Sequence, residues 1–103
     1  MKIEELFVPY RIAFNLRNKG FEYECLAYYH DVNYELIISV CENIQFYKSV
    51  AAPLYQQVFD WLKYNKEVLI TKNWDGWEVG TMDGDFIFYE AKDKAIEAAL
   101  KLI

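Results

Sequence analysis

Apolar residues recur along this chain at two different periods. Between Pro9 and Lys19 they fall at Ile12, Ala13 and Leu16, the three- and four-residue spacing of one helix face. The spacing predicts a helix over 9–19. Pro9 opens it at no cost, because a first-turn amide has no intrahelical acceptor, and Gly20 suits the left-handed residue that closes one. After Gly20 the period shortens. CLAYYH and YELIISVC are rich in aromatic and β-branched residues and flank the turn-forming HDVN, so residues 24–29 and 34–41 read as a hairpin. The stretch 43–49 reads as a loop. Helical spacing then returns in AAPLYQQVFDWLKYNK, where Tyr55, Val58, Phe59 and Leu62 form the apolar stripe, widened by Leu54 and Trp61. Pro53 stands at the tolerated first-turn position, and Gln56, Gln57, Asp60 and Lys63 take the other face, so Phe59 and Leu62 are expected buried and Gln57 exposed.

Two Asp-Gly pairs punctuate the segment after this helix, at Asp75-Gly76 and Asp83-Gly84. Read as two-residue type I′ turns, they require positive φ at both glycines and set Lys72 against Val79, Ile70 against Thr81 and Val79 against Phe88. Side chains alternate along a strand, so both turns give one apolar face carrying Val68, Ile70, Trp74, Trp77, Val79, Phe86 and Phe88. The opposite face then carries Leu69, Met82, Ile87 and Tyr89, with Gly80 in its middle, where a partner backbone could approach. The closing AKDKAIEAALKLI is helical by propensity, with Ala91, Ala95, Ala98, Ala99 and Leu102 on a small-residue face and Ile96, Leu100 and Ile103 beside it.

The order is helix, two strands, helix, three-strand meander, helix. Short connections within the strand groups predict an α+β fold, an antiparallel sheet with helices packed mainly on one face. At 103 residues the chain is expected to form a single domain, 1–103, able to bury a core without a metal or disulfide.

Charge narrows the function classes. Sixteen acids against eleven Lys and Arg give a net charge of −5, which repels polyphosphate and argues against nucleic acid as a partner. The first residues lack the basic and long apolar regions of a signal peptide, and no window approaches the roughly 18 apolar residues of a membrane span. A cytoplasmic location is the expectation. Cys25 and Cys41 belong to no C-x-x-C pair and are expected as buried or half-buried thiols, and one histidine is too few for a zinc site.

Catalytic chemistry finds no support. No frame starting at Asp75 or Asp83 supplies the acids, glycine and closing glutamate of a calcium loop. His30, the one histidine, is expected in a solvent-facing turn, and Cys25 lies five residues before it on a strand, too far for a nucleophile–base pair. Glu4-Glu5, Glu22-Glu24 and Asp83-Asp85 read as solvated faces and turns, and no glycine loop cradles a phosphate. No catalytic, cofactor-binding or metal-ligating residue is predicted.

VPYRIAFNLRNKGF, CLAYYH, SVAAPLYQQVFDWL and the closing AIEAALKLI together resemble small uncharacterised proteins of phages, prophages and mobile elements of gut bacteria, most specifically at APLYQQVFDWL, Ala52 to Leu62. The resemblance implies a genomic setting and no mechanism. Aromatics make up 18% of the residues, and the meander's second face reads as too apolar for plain water: either the first hairpin or the closing helix covers it, or it is an exposed patch for another protein. The expectation is a non-enzymatic protein-interaction module that uses Leu69, Met82, Ile87 and Tyr89, its partner being another protein or a second copy of itself. The alternative is single-stranded nucleic-acid binding by aromatic stacking, with Arg11, Arg17 and Lys19 as the basic cluster.

Overall fold

The computed structural model describes residues 2–30, 32–41 and 49–103. It is an α+β fold of antiparallel strands and helices. The chain divides into two compact units, Met1–Val58 and Phe59–Ile103, each with a three-stranded antiparallel sheet. The first hairpin and the meander thus belong to separate sheets.

In the first unit a short 3-10 helix, Ile3–Leu6, leads into α1, Tyr10–Asn18, with Pro9 extended at its N-cap. Ile12, Ala13 and Leu16 are buried, as their spacing requires. The end of α1 is a Schellman motif: Gly20 stands at φ +93, its N–H donates to the Arg17 carbonyl at 3.2 Å, and the Phe21 N–H donates to Leu16 at 3.0 Å. Phe21 is buried, as Leu16 is, which adds the apolar closure such an end favours.

Strands β1, Cys25–Tyr29, and β2, Leu36–Cys41, pair antiparallel, with a register shift between Cys25 and Ala27. Cys41 is the Cα partner of Cys25 across that ladder. Nothing in the residue pattern signals β3, Val50–Ala51, which pairs with the far side of β1 and places β1 at the sheet centre. The rest of the expected loop, 43–48, lies outside the described residues. Hydrogen bonds tie the start of the chain to later segments. The Val8 N–H donates to the Pro53 carbonyl at 3.0 Å, and the Tyr29 hydroxyl donates to the Val8 carbonyl at 2.6 Å. Phe7, Ala27 and Ala52 are buried together beneath Tyr29, Leu36 and Leu54.

Helix α2, Tyr55–Lys66, begins two residues after Pro53, which precedes the first turn. Leu54 fills the cap position, and Gln57 serves it. The Gln57 Oε1 accepts the Leu54 N–H at 2.9 Å, the returning half of a capping box, and its Nε2 donates to the Glu24 carbonyl at 2.8 Å. Gln57 is accordingly half-buried, against the expectation of exposure. The buried stripe centres on Val58, Trp61 and Leu62, while Phe59 is half-buried with its ring 5.5 Å from Trp77. The stripe thus lies rotated toward Trp61, one of two helical faces that the same three- and four-residue spacing allows.

In the second unit β4, Val68–Lys72, β5, Trp77–Thr81, and β6, Ile87–Tyr89, form a meander with β5 central. Helix α3, Lys92–Lys101, lies against all three strands. It buries Ala95, Ile96, Ala99 and Leu100, so Ile96 and Leu100 join the core stripe while Ala91 and Leu102 are exposed.

Candidate protein-interaction surface

Both meander turns sit one residue earlier than the type I′ reading places them. The Asn73 N–H donates to the Gly76 carbonyl at 2.7 Å, which leaves Trp74 and Asp75 at the corner, and the Gly84 N–H donates to the Thr81 carbonyl at 3.2 Å around Met82 and Asp83. Neither Gly76 nor Gly84 has positive φ; among the described glycines only Gly20 does. Both glycines instead take the fourth turn position, which glycine favours in turns that need no left-handed residue.

The two displacements differ in consequence. In the first hairpin Ile70 pairs with Val79 and Lys72 with Trp77, two positions from the expected register, and an even slip leaves each side chain on its expected face. In the second, Val79 pairs with Ile87, Glu78 with Phe88 and Trp77 with Tyr89. That slip is a single residue, so all of β6 is inverted relative to expectation. Ile87 and Tyr89 share a face with Val68, Ile70, Trp77 and Val79, and Phe86 and Phe88 belong to the other.

Leu69, Met82, Ile87 and Tyr89 therefore do not form one face. Leu69 is half-buried on the side of Glu78 and Gly80, Met82 stands exposed in the turn, and Ile87 and Tyr89 lie on the side that α3 covers. Tyr89 is half-buried beside Lys94, Glu97, Ala98 and Lys101 of that helix. The space over Gly80 is filled from within the sheet. A Cβ there would stand 2.9 Å from the Phe86 ring, and one at Gly76 would stand 2.8 Å from the Phe88 ring and 2.5 Å from the Tyr89 carbonyl. Each phenylalanine covers the backbone that a glycine leaves bare, the cross-strand pairing known as aromatic rescue. The Asp-Gly pairs point by composition to left-handed turns; the Phe-x-Phe set against Gly-x-x-x-Gly, positions 76 and 80, is the signal for these cross-strand pairs.

Besides the turn residues Trp74 and Met82, the apolar side chains of this sheet that stand open to solvent lie along its outer strand and the residue before it. Ile87 is 60% exposed and Phe88 43% on β6, with Phe86 just before it at 40%, and among the described residues β6 pairs only with β5. Exposed Asp83 and Asp85 precede it and exposed Glu90 follows, with no Lys or Arg from 82 to 91. The opposite edge, β4, differs: Val68 is buried, Leu69 and Ile70 are half-buried, and the strand ends in Lys72. There Trp77 is ringed by cations, with Lys72 Nζ 5.1 Å and Lys92 Nζ 5.8 Å from its centre.

The remaining candidates are dispersed. His30 is half-buried, its Nδ1 accepting the Val32 N–H at 3.1 Å. Cys25 is buried at the far end of β1, about 16 Å away at strand rise, and its thiol donates to the Tyr23 carbonyl at 3.3 Å. Arg17 is half-buried and directs Nη1 at the Ser49 carbonyl, 3.4 Å away, which removes it from an exposed basic cluster with Arg11 and Lys19. Among the described residues no three His, Cys, Asp or Glu side chains converge as metal ligands, and no helix is long and apolar enough to cross a membrane. The chain matches no protein-family model, no curated protein and no solved structure.

Proposed function

We propose that this chain is a small, non-enzymatic protein-interaction module that docks a partner on the outer strand of its second unit. The observation that carries the reading is the exposure of three consecutive large apolar side chains, Phe86, Ile87 and Phe88, at and just before a strand whose one neighbour among the described residues is β5. An exposed apolar edge is a liability for a protein with no use for it; β6 is short, which limits that liability, but no lysine or proline stands between 85 and 90 and its ladder with β5 has no register shift. The resemblance to phage and mobile-element proteins supplies the setting, the cytoplasm of a bacterial host. The four residues that the sequence singles out contribute unequally: Ile87 belongs to the docking strand and Met82 to its approach, while Leu69 and Tyr89 support the sheet.

The test is Ile87→Lys. An exposed edge position tolerates the charge, so circular dichroism should be unchanged. The intact chain and the variant are compared by sedimentation velocity and by quantitative mass spectrometry of host-lysate proteins retained on each. Loss of self-association, or of one defined retained protein, in the variant alone supports the reading. Identical behaviour of the two folded proteins overturns it. Single-stranded oligonucleotides at low salt form a third arm, where binding that falls steeply with added salt and depends on Phe86 and Phe88 would replace the protein partner by a nucleic acid.

A further inference from the structure

Resting on that interaction reading, we infer that the partner segment is an extended, basic-flanked peptide that adds as a fourth strand beside β6. Three observations combine here. The outer edge of Ile87–Tyr89 faces no strand of the described chain, and an edge strand directs the N–H and C=O of alternate residues outward, ready to pair. Ile87 and Phe88 point to opposite faces of the sheet and both are exposed, so an added strand finds an apolar contact on either side of its backbone. Asp83 and Asp85 stand before the strand and Glu90 after it, all exposed, so acid brackets the edge at both ends.

The bracket selects the occupant. If β6 paired with its own copy across a two-fold axis, Phe88 on Phe88, Asp85 of one chain would come within one position of Glu90 of the other. The two side chains would point to opposite faces, yet symmetry would gather an Asp85 and a Glu90 at each end of the pair, so like charge would accumulate within the roughly 8–10 Å over which charges act at ordinary ionic strength. A second copy is therefore a poor fit for this edge. A peptide with two or three apolar or β-branched residues between Lys or Arg at both ends meets the same acids with attraction, which also raises its association rate. Backbone pairing supplies the affinity and the terminal charges supply the selection.

The probe is a fluorescent peptide of sequence Lys-Arg-Thr-Val-Thr-Val-Arg-Lys, titrated against the intact chain. The expected result is saturable binding with slowed amide exchange within 87–89. It should weaken at least tenfold when alternate peptide nitrogens are methylated, and at least tenfold in the triple variant Asp83→Asn, Asp85→Asn, Glu90→Gln. Equal binding of the methylated peptide would show charge attraction without strand addition and overturn the inference, as would failure to bind. Were the peptide to fail while the Ile87→Lys variant still lost a defined partner, docking would stand and strand addition would fall. Loss of neither signal in that variant removes both.

Discussion

In the first unit Gly20 sits at φ +93 with nothing within 4 Å of where a Cβ would be, while in the second Gly76 and Gly80 have no positive φ and lie beneath phenylalanine rings. Gly20 is needed for conformation, since only a residue without a Cβ adopts that backbone cheaply at the end of α1. Gly76 and Gly80 are needed for space. The difference bears on the proposed docking strand, because the rings that fill those spaces belong to Phe86 and Phe88. Their placement turns Ile87 onto the face of Val79 and leaves the β6 edge apolar and exposed.

The sharpest way to break this comparison is Gly76→Ala. The added carbon would stand 2.5 Å from the Tyr89 carbonyl oxygen, a backbone atom of β6 that cannot turn aside, and 2.8 Å from the Phe88 ring. Relief requires β6 to move off β5, so we expect a loss of about 2–3 kcal/mol in urea unfolding, the range for overpacked sites. Amide exchange at 87–89 should rise first. A change within about 0.5 kcal/mol, the scatter of ordinary surface substitutions, would mean that the close approach does not hold the strand.

Gly20→Ala tests the other side. Space is open there, so the entire cost is the left-handed backbone, about 1–2 kcal/mol for a residue with a Cβ. Replacement by Asn, which tolerates that region better, should cost less than Ala. Equal costs for Ala and Asn in chemical denaturation would argue that the Phe21-to-Leu16 bond, and not the backbone region, sets the helix end.

The same contrast explains what the sequence discloses. Conformational signals act on neighbours in the chain and are legible there: Pro9 and Gly20 bound α1, the stripe at Ile12, Ala13 and Leu16 is buried, and the antiparallel α+β class follows from element order. Steric signals act between strands. Whether Gly76 answers a turn or the Phe88 ring depends on where β6 lies, and a one-residue error there exchanges Ile87 and Tyr89 for Phe86 and Phe88. β3 is illegible because a two-residue strand has no period to read; its place is fixed by Tyr28 and Tyr29 across the ladder. Periodicity puts Gln57 on the solvent face because its role depends on the Leu54 N–H and the Glu24 carbonyl, partners that a helical stripe does not register. The acids around β6 read as turn residues by themselves, and only the strand edge between them gives them a joint electrostatic meaning.

The smallest expected effect comes from the two positions among the described residues where a non-glycine side chain occupies the left-handed region, Tyr34 in the first unit and Glu67 in the second, both at φ 58. Glu67 joins α2 to β4 with an exposed side chain, so Glu67→Gly removes a backbone cost of about 1–2 kcal/mol. The greater freedom of glycine in the unfolded chain returns about 0.4–1 kcal/mol of that, leaving a gain of about 0.5 kcal/mol in urea unfolding. Tyr34 carries the same strain, yet its ring lies 4.6 Å from Tyr10, which also meets Tyr29 edge-on at 5.6 Å. Tyr34→Gly relieves the backbone and forfeits an aromatic pair of about 0.5–1.5 kcal/mol, so it should yield no gain. A gain at Tyr34 equal to that at Glu67 would show that the tyrosine pair contributes nothing to the first unit. A loss at Glu67 would show that its side chain holds a contact that outweighs the strain of its backbone.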